Sequence, residues 1–451
     1  MNTHIKANII LCVIITILET VSTKISSAQE LVSSVDSSEI WSYHYQFTGI
    51  QQEHGSFSAK YSGENSLQNT SENPYSVTAT LFLGRSLWEG TEVYFNPEMS
   101  GGSGFSLTRG IASFPNGEVY RVDDETPKVY VARAFLRQQF SLGNSDFEKI
   151  QSDQNQLGCL LPTSRLTITL GKFSITDIFD DNSYSHDPRT QFMNWAIWAA
   201  GAWDYPADTR GYDWGIAFEL HQPDWALHFA AVLEPTYANG PEFDMKISKA
   251  HSLNLELVKP VNLLGQSGNI HLIGFLNQAH MGNYRQAITE AAANGSVPDI
   301  CTTRAYSSKY GFVIGIEQPL SNTLGLFSRL SWNDGKTETW TYTEIDRSLQ
   351  LGMNIRGEAW NRSNDAIGIA LALNGLSQDH RDYLAAGGYG FIIGDGHLNY
   401  GLEQALEVFY NIEMSSTFWL TIDNQTIENP GYNKDRGPIV NAFAIRGHVE
   451  L

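Results

Sequence analysis

Cysteine is nearly absent from this chain. Of three in 451 residues, Cys12 lies in the first apolar segment, which leaves Cys159 and Cys301, far fewer than a disulfide-built scaffold needs. Long apolar runs are also missing. Past Glu30 no stretch approaches the roughly 18 consecutive apolar residues of a helical membrane span, which excludes helical spans even though 42% of the chain is hydrophobic and 12% aromatic. Positive charge is scarce, with 29 basic residues against 49 acidic ones, so nucleic acid is a poor partner. No Pro-rich, Ser-rich or charge-block linker divides the chain, which favours one large domain. Phosphate-binding glycine loops, haem attachment motifs, zinc-ligand spacings and the GxSxG elbow are all missing, and no cofactor or metal is implied.

What is present begins with an export signal. Lys6 precedes an apolar run from Ile9 to Leu18, and Ser26, Ser27 and Ala28 supply small residues for cleavage, so residues 1–28 read as a signal peptide and 29–451 as the mature protein. Removing Lys6, Lys24 and Glu19 leaves 27 basic against 48 acidic groups, a net charge of −21.

The apolar residues alternate. From Leu398 to Met414 the even positions are large and mostly apolar, Gln404 excepted, while the odd positions include Asn399, Glu403, Glu407, Asn411 and Glu413. Period two over this length means strand, with one greasy face and one wet face. The pattern recurs along the chain. Thr91 to Asn96 is expected to point Val93 and Phe95 outward and Glu92 and Tyr94 inward. Val129 to Phe140 sets Tyr130, Ala132, Ala134 and Leu136 on one face against Arg133 and Arg137 on the other. Tyr212 to His221 and Trp225 to Glu234 form a hairpin about Gln222-Pro223-Asp224, with Glu219 and His221 inward.

About sixteen such strands can be drawn, an even number, as a single-chain bacterial outer-membrane barrel requires. Connections after even-numbered strands are mostly short and those after odd-numbered strands mostly long, the asymmetry of periplasmic turns and external loops. Ser141 to Ser164, which carries Cys159, is the exception on the short side. The same parity places Cys301 outside, so the two thiols are expected at opposite rims and unpaired. A soluble all-strand protein explains the alternation but not this asymmetry. Trp41, Trp214, Trp225 and Trp419 suit an interface girdle, and the last strand ends on Leu451 where an aromatic residue is usual.

The longest polar interruption, Phe173 to Gly211, is expected to fold into the pore as a constriction loop. Asp187 followed by Pro188 suggests a helix to about Ala200, whose Phe192, Trp195, Ala196 and Ala199 share one face that would have nothing to bury against outside the barrel. Asp177, Asn182, Asp187, Arg189, Gln191, Trp203, Tyr205 and Arg210 offer the hydroxyl-binding groups and flat rings that sugars require. Arg133, Arg137, Glu403 and Glu407 are the expected wall charges, because a charge facing lipid is costly. The plainer readings are that Asp187 only caps the helix, that Arg189 only pairs with Asp177 or Asp181, and that Trp195, Trp198 and Trp203 only pack the loop.

The stretch FDDNSYSHDPRTQFMNWAIWAAGAWDYPADTRGYDWGIAFEL, with VYFNPEMSGGSGFS, VYVARAFLRQQF and NPGYNKDRGPIVNAFAIRGHVEL, resembles the carbohydrate-selective outer-membrane porins of the OprB type over nearly the whole mature chain. The resemblance implies an all-β, sixteen-stranded transmembrane antiparallel barrel and passive diffusion of glucose-like monosaccharides through a charged constriction. Its partners are then small sugars and outer-membrane lipid, with homotrimer and monomer both compatible. Rival readings are a general or cation-leaning porin, motivated by the acidic balance, and a barrel enzyme using His186, Asp187 and Ser183 or Ser185. A calcium clamp built from Asp177, Asp180, Asp181 and Asp187 is a further reading.

Overall fold

The computed structural model describes residues 39–120, 125–143, 146–263, 265–437 and 439–451. The segment expected to be an export signal, residues 1–28, lies outside these residues. Among the described residues eighteen strands follow in order: β1 (Trp41–His54), β2 (Tyr75–Trp88), β3 (Thr91–Gly102), β4 (Lys128–Ser141), β5 (Phe147–Ile150), β6 (Cys159–Pro162), β7 (Arg165–Phe173), β8 (Asp213–Gln222) and β9 (Trp225–Val232). The second half contains β10 (His251–Leu263), β11 (Gln266–Met281), β12 (Ala305–Pro319), β13 (Leu324–Asn333), β14 (Arg347–Gly357), β15 (Arg362–Gly375), β16 (Glu403–Ser415), β17 (Phe418–Glu428) and β18 (Ile439–Glu450). All but β5 and β6 close into one antiparallel barrel, each paired with its neighbour and β1 closing on β18.

Closure removes every sheet edge, which is what allows strands to cross a bilayer with their backbone groups satisfied. Most barrel strands extend a few residues past the stretch of clear alternation. The exception is the stretch from Leu398, which is irregular until β16 begins at Glu403. Outward positions carry the apolar alternation, as with Leu255, Leu272, Ile314, Leu351, Leu406 and Ile445, all exposed on the outer surface. Trp41 and Trp214 are 45% and 46% exposed, as a girdle at the lipid boundary requires. Tight turns join β2 to β3, β8 to β9, β10 to β11, β12 to β13, β14 to β15 and β16 to β17 at the end where both termini lie, and the longer loops gather at the other.

One face assignment is corrected. A bulge where Asn96 and Pro97 pair with Arg133 and Val131 leaves Ala132 as an extra residue in β4. An extra residue reverses the alternation. Tyr130, Ala132, Arg133, Phe135 and Arg137 therefore all contribute to the inner side, whereas simple alternation puts Tyr130 and Ala132 opposite the arginines.

The connection from β4 to β7 explains its exceptional length. It forms the β5–β6 hairpin, and its Asp153–Gln156 turn folds back into the barrel from the short-turn end. Asn96 Nδ2 donates to Asn155 Oδ1 at 2.7 Å, Arg137 to the Asn155 carbonyl at 2.9 Å, and Gln154 to Gln46 at 3.1 Å. Cys159 lies here and Cys301 among the long loops, both as free thiols.

Candidate functional site

The β7–β8 loop packs inside the barrel. Phe179, Phe192, Met193, Ala196, Ile197, Ala200, Ala202 and Trp203 are fully buried, so the apolar groups that would be wasted outside are covered within. The helix is shorter than the sequence suggests. It spans Trp195–Trp198, with Asn194 as N-cap accepting from the Ala196 N–H. Asp187 instead closes a turn, accepting from the Arg189 N–H at 3.0 Å and the Thr190 hydroxyl at 2.7 Å. Helix cannot extend back to Pro188 because the intervening backbone is committed to the barrel wall. Glu407 accepts the Met193 and Asn194 N–H groups at 2.6 and 3.0 Å, and Arg446 donates to the Pro188 and Gln191 carbonyls at 2.7 and 2.8 Å.

Further clamps come from all round the wall. Arg329 donates to Asp180 at 2.7 Å and to the Ile197 carbonyl at 2.9 Å, Gln350 to the Ala199 carbonyl at 2.9 Å, and the Trp203 indole donates to Asn254 at 3.0 Å. Close contact also needs a missing side chain: a Cβ on Gly368 would meet the Phe409 ring at 2.2 Å and the Phe192 ring at 2.8 Å.

The β3–β4 loop folds in beside it. Phe105, Ile111 and Phe114 are fully buried, Trp195 donates its N–H and its indole to the Phe114 and Asn116 carbonyls, both at 2.8 Å, and Glu403 accepts from the Ala112 and Ser113 N–H groups at 3.0 and 2.6 Å. Glu403 and Glu407 thus do point inward, but they are completely covered by the loops they hold and do not line the water path. The period-two pattern reports the face a residue occupies, and it is silent about a loop lying on that face.

Between the two loops and the β2–β4 and β7 wall runs a cavity of about 540 Å³, bounded by Asn239 and Thr341 of the external loops at one end and by Asp153–Gln156 at the other. Among the site residues named from sequence, Asp177, Asp187, Arg189, Tyr205, Arg210, Arg133 and Arg137 line it; Asn182, Gln191, Trp203, Glu403 and Glu407 do not. Asn182 and Trp203 are packed, and Gln191 is spent on the His186 N–H at 2.7 Å.

Several charges at the cavity are paired. Arg133 grips Asp177 through two bonds of 2.6 Å. Arg189 bridges Glu118 at 2.8 Å and Glu98 at 3.2 Å, and not Asp177 or Asp181. Lys172 meets Asp208 at 3.1 Å. Burial would lower the pKa of Arg189, but Glu118 and Glu98 outweigh it and hold the guanidinium charged well above its ordinary range. Arg210 lies over the Tyr130 ring at 4.2 Å and the Tyr120 ring at 5.3 Å, and Arg133 over Tyr212 at 5.1 Å. Glu98, Glu118, Tyr120, Tyr130 and Tyr212 were missed from sequence. The outward-inward pattern placed none of them beside the loop, although the apolar Phe105 to Phe114 segment within a polar connection was a readable sign that this loop too is buried.

The four loop aspartates do not converge on a calcium site. Asp177 faces Arg133, Asp180 faces Arg329, Asp187 closes its own turn and Asp181 is exposed. Ser185 is not placed as a triad nucleophile, since its buried hydroxyl donates to the Ile197 carbonyl at 2.5 Å.

A closed barrel with an outward apolar band, long loops at one end and loops folded into its lumen is an outer-membrane diffusion channel. The sequence matches the carbohydrate-selective porin, OprB family, over residues 64–449, and the chain belongs to that family, a sugar-selective channel of the outer membrane. Among solved structures it is similar to OprB of Pseudomonas putida at high pH, at 16% identity, covering 91% of this chain and 94% of that one with a TM-score of 0.68. It is also similar to the outer membrane channel DcaP of Acinetobacter baumannii, at 8% identity, covering 91% and 97% with a TM-score of 0.51. No curated protein sequence matches.

Proposed function

We propose that this channel passes single sugar rings of the glucose type, and that the cavity between the two inserted loops is where they are selected. The observation that carries this reading is the set of ion pairs flanked by tyrosine faces. Arg133–Asp177, Arg189 with Glu118 and Glu98, and Lys172–Asp208 present charged donors beside charged acceptors. A sugar hydroxyl both donates and accepts, so it can insert against such a pair without stranding either member. Tyr120 and Tyr130, both partly exposed and lining the cavity, supply the flat surfaces for its apolar ring faces. A volume of about 540 Å³ lies inside the roughly 300–1,000 Å³ of ordinary small-molecule sites. The pairing also argues against a cation-leaning general porin: although the whole chain has a net charge of −20, the carboxylates of Asp177, Glu118, Glu98 and Asp208 each meet one of three cations, Arg133, Arg189 and Lys172, and Arg137 and Arg210 line the cavity as well.

The proposal includes cleavage of an export signal after Ala28 and passive transport without chemistry. It is tested by liposome swelling with glucose, a disaccharide and an amino acid of glucose-like size. Glucose entry faster than both supports it. Equal rates for glucose and the amino acid make the channel a general porin.

A further inference from the structure

On the inner wall of β8, β9 and β10, a second polar cluster has a different character. Strand register sets Glu219 directly opposite His228, and His228 directly opposite Glu256, so the three stand in one row across adjacent strands. His221, two residues beyond Glu219, shares its inward face. One ligand atom from each of Glu219, His221 and His228 lies within 4.8 Å of the others, and the Glu219 to His221 separation is 3.4 Å.

The tautomer of His228 is set by its neighbour. Its Nδ1 lies 2.9 Å from Glu256, and an ionised carboxylate there takes the Nδ1–H. In the neutral ring that leaves the Nε2 lone pair free. This Nε2 is buried with no hydrogen-bond partner among the described residues, and the residue is only 7% exposed. A buried imidazole nitrogen without a partner is costly to maintain unless something occupies it. Glu256 is itself anchored on its far side by His271 at 3.0 Å, so the carboxylate that orients His228 is held from two directions.

We infer that Glu219, His221 and His228 form a lumenal site for a divalent transition-metal ion, with zinc as the reference occupant. Two imidazole nitrogens and one carboxylate oxygen are the donor set of three-ligand zinc sites, in which a fourth position stays with solvent. Glu256 on the far nitrogen of His228 is the outer carboxylate that such sites use to fix ring orientation and raise ligand basicity. The ligand-atom separations need to contract to the roughly 3.4 Å edge of a tetrahedron with about 2.0–2.1 Å bonds. His221 supplies that movement, since its side chain is 25% exposed, its ring meets that of His228 at 5.6 Å, and its approach to Glu219 is a long 3.4 Å. The site sits one turn from the Gln222–Trp225 hairpin, at the periplasmic end of the lumen. An ion there places positive charge beneath the sugar-selecting cavity.

The test uses the untagged full-length channel, purified in detergent, stripped with chelator, dialysed against zinc and assayed for bound metal. Wild type and the external-loop control His397→Ala are expected to retain about one zinc per chain, and His221→Ala and Glu219→Gln to lose it. Zinc added on the periplasmic side is expected to lower single-channel potassium conductance in wild type and to leave the His221→Ala channel unchanged. His221 is partly exposed and peripheral to the packed row, so its variant stays interpretable if His228→Ala fails to assemble. Absence of retained zinc in wild type, or equal retention in all four proteins, overturns the inference.

Discussion

Arg189 is the residue whose loss should reorganise the constriction without unfolding the barrel. Its guanidinium lies 2.8 Å from Glu118 and 3.2 Å from Glu98, and the two carboxylates are 6% and 2% exposed. Each such contact is worth roughly 5 kcal/mol of Coulomb attraction at an effective dielectric near 20. Desolvation offsets most of that, but stranding the buried partners costs about 3–5 kcal/mol. The two acids are not equally placed to relieve it. Glu98 keeps donors from Thr80 and Tyr130, both at 2.5 Å, and from Tyr212 at 2.8 Å. For the Glu118 carboxylate, no other side-chain donor is found among the described residues. In Arg189→Met, Glu118 should therefore turn to water and take the Gly117–Tyr120 segment with it. Gly117 is packed so closely on Pro188 that a Cβ would sit 2.4 Å from its ring, so the shift is transmitted to the β7–β8 loop. The pore should widen and become more negative. Planar-bilayer recording should show higher conductance and a reversal potential shifted toward cation selectivity, and liposome swelling should show a reduced preference for glucose over an amino acid. Conductance, reversal potential and preference all unchanged from wild type would refute the claim that this ion bridge shapes the channel.

Other consequences follow from the same contacts. Glu407→Gln replaces one of two acceptor oxygens facing the Met193 and Asn194 N–H groups, at a cost of about 1–3 kcal/mol for the stranded donor. The Phe173 to Gly211 loop should become cleavable by protease while the barrel stays intact, and full protection would show that Glu407 is not a clamp. Burial would raise the Asp187 carboxyl, but the Arg189 guanidinium, its N–H and the Thr190 hydroxyl outweigh burial and hold it below the usual range. A depressed carboxylate stabilises the fold at every pH above its unfolded value of about 3.9, and that stabilisation is lost as pH falls through the lower folded value. Asp187→Asn should remove the part of the acid change in conductance that falls below about pH 4, and a step below that pH persisting unchanged in Asp187→Asn would contradict the assignment. Burial pushes the Cys159 thiol up to about 11, with Glu92 adding to the effect, and burial also raises Cys301. Thiolate is then the minor form at neutral pH. Both thiols should alkylate slowly in the folded channel and rapidly after unfolding, whereas failure of two thiols to appear on unfolding would reveal a disulfide.

Alternation marked about sixteen strands and their faces, because a strand residue's face depends on its immediate neighbours, and the lengths of the connections marked which end carries the long loops. The β7–β8 loop could be marked for the lumen for a related reason: Phe192, Trp195, Ala196 and Ala199 are too apolar to face water. Only the tertiary structure decided what those faces meet. One unpaired residue, Ala132, moves Tyr130 to the inner side, and a local pattern carries no sign of where a bulge falls. Glu403 and Glu407 read as pore lining, yet they are covered by backbone arriving from residues 112–113 and 193–194. Arg189 could be named from its loop, but its partners Glu98 and Glu118 lie 91 and 71 positions away and meet it only because two loops enter one barrel. The same holds for His228 and Glu256, which are set side by side by strand register, 28 positions apart. Faces are a property of neighbours in sequence, whereas charge pairs and ligand sets depend on chain paths that close only when the barrel does.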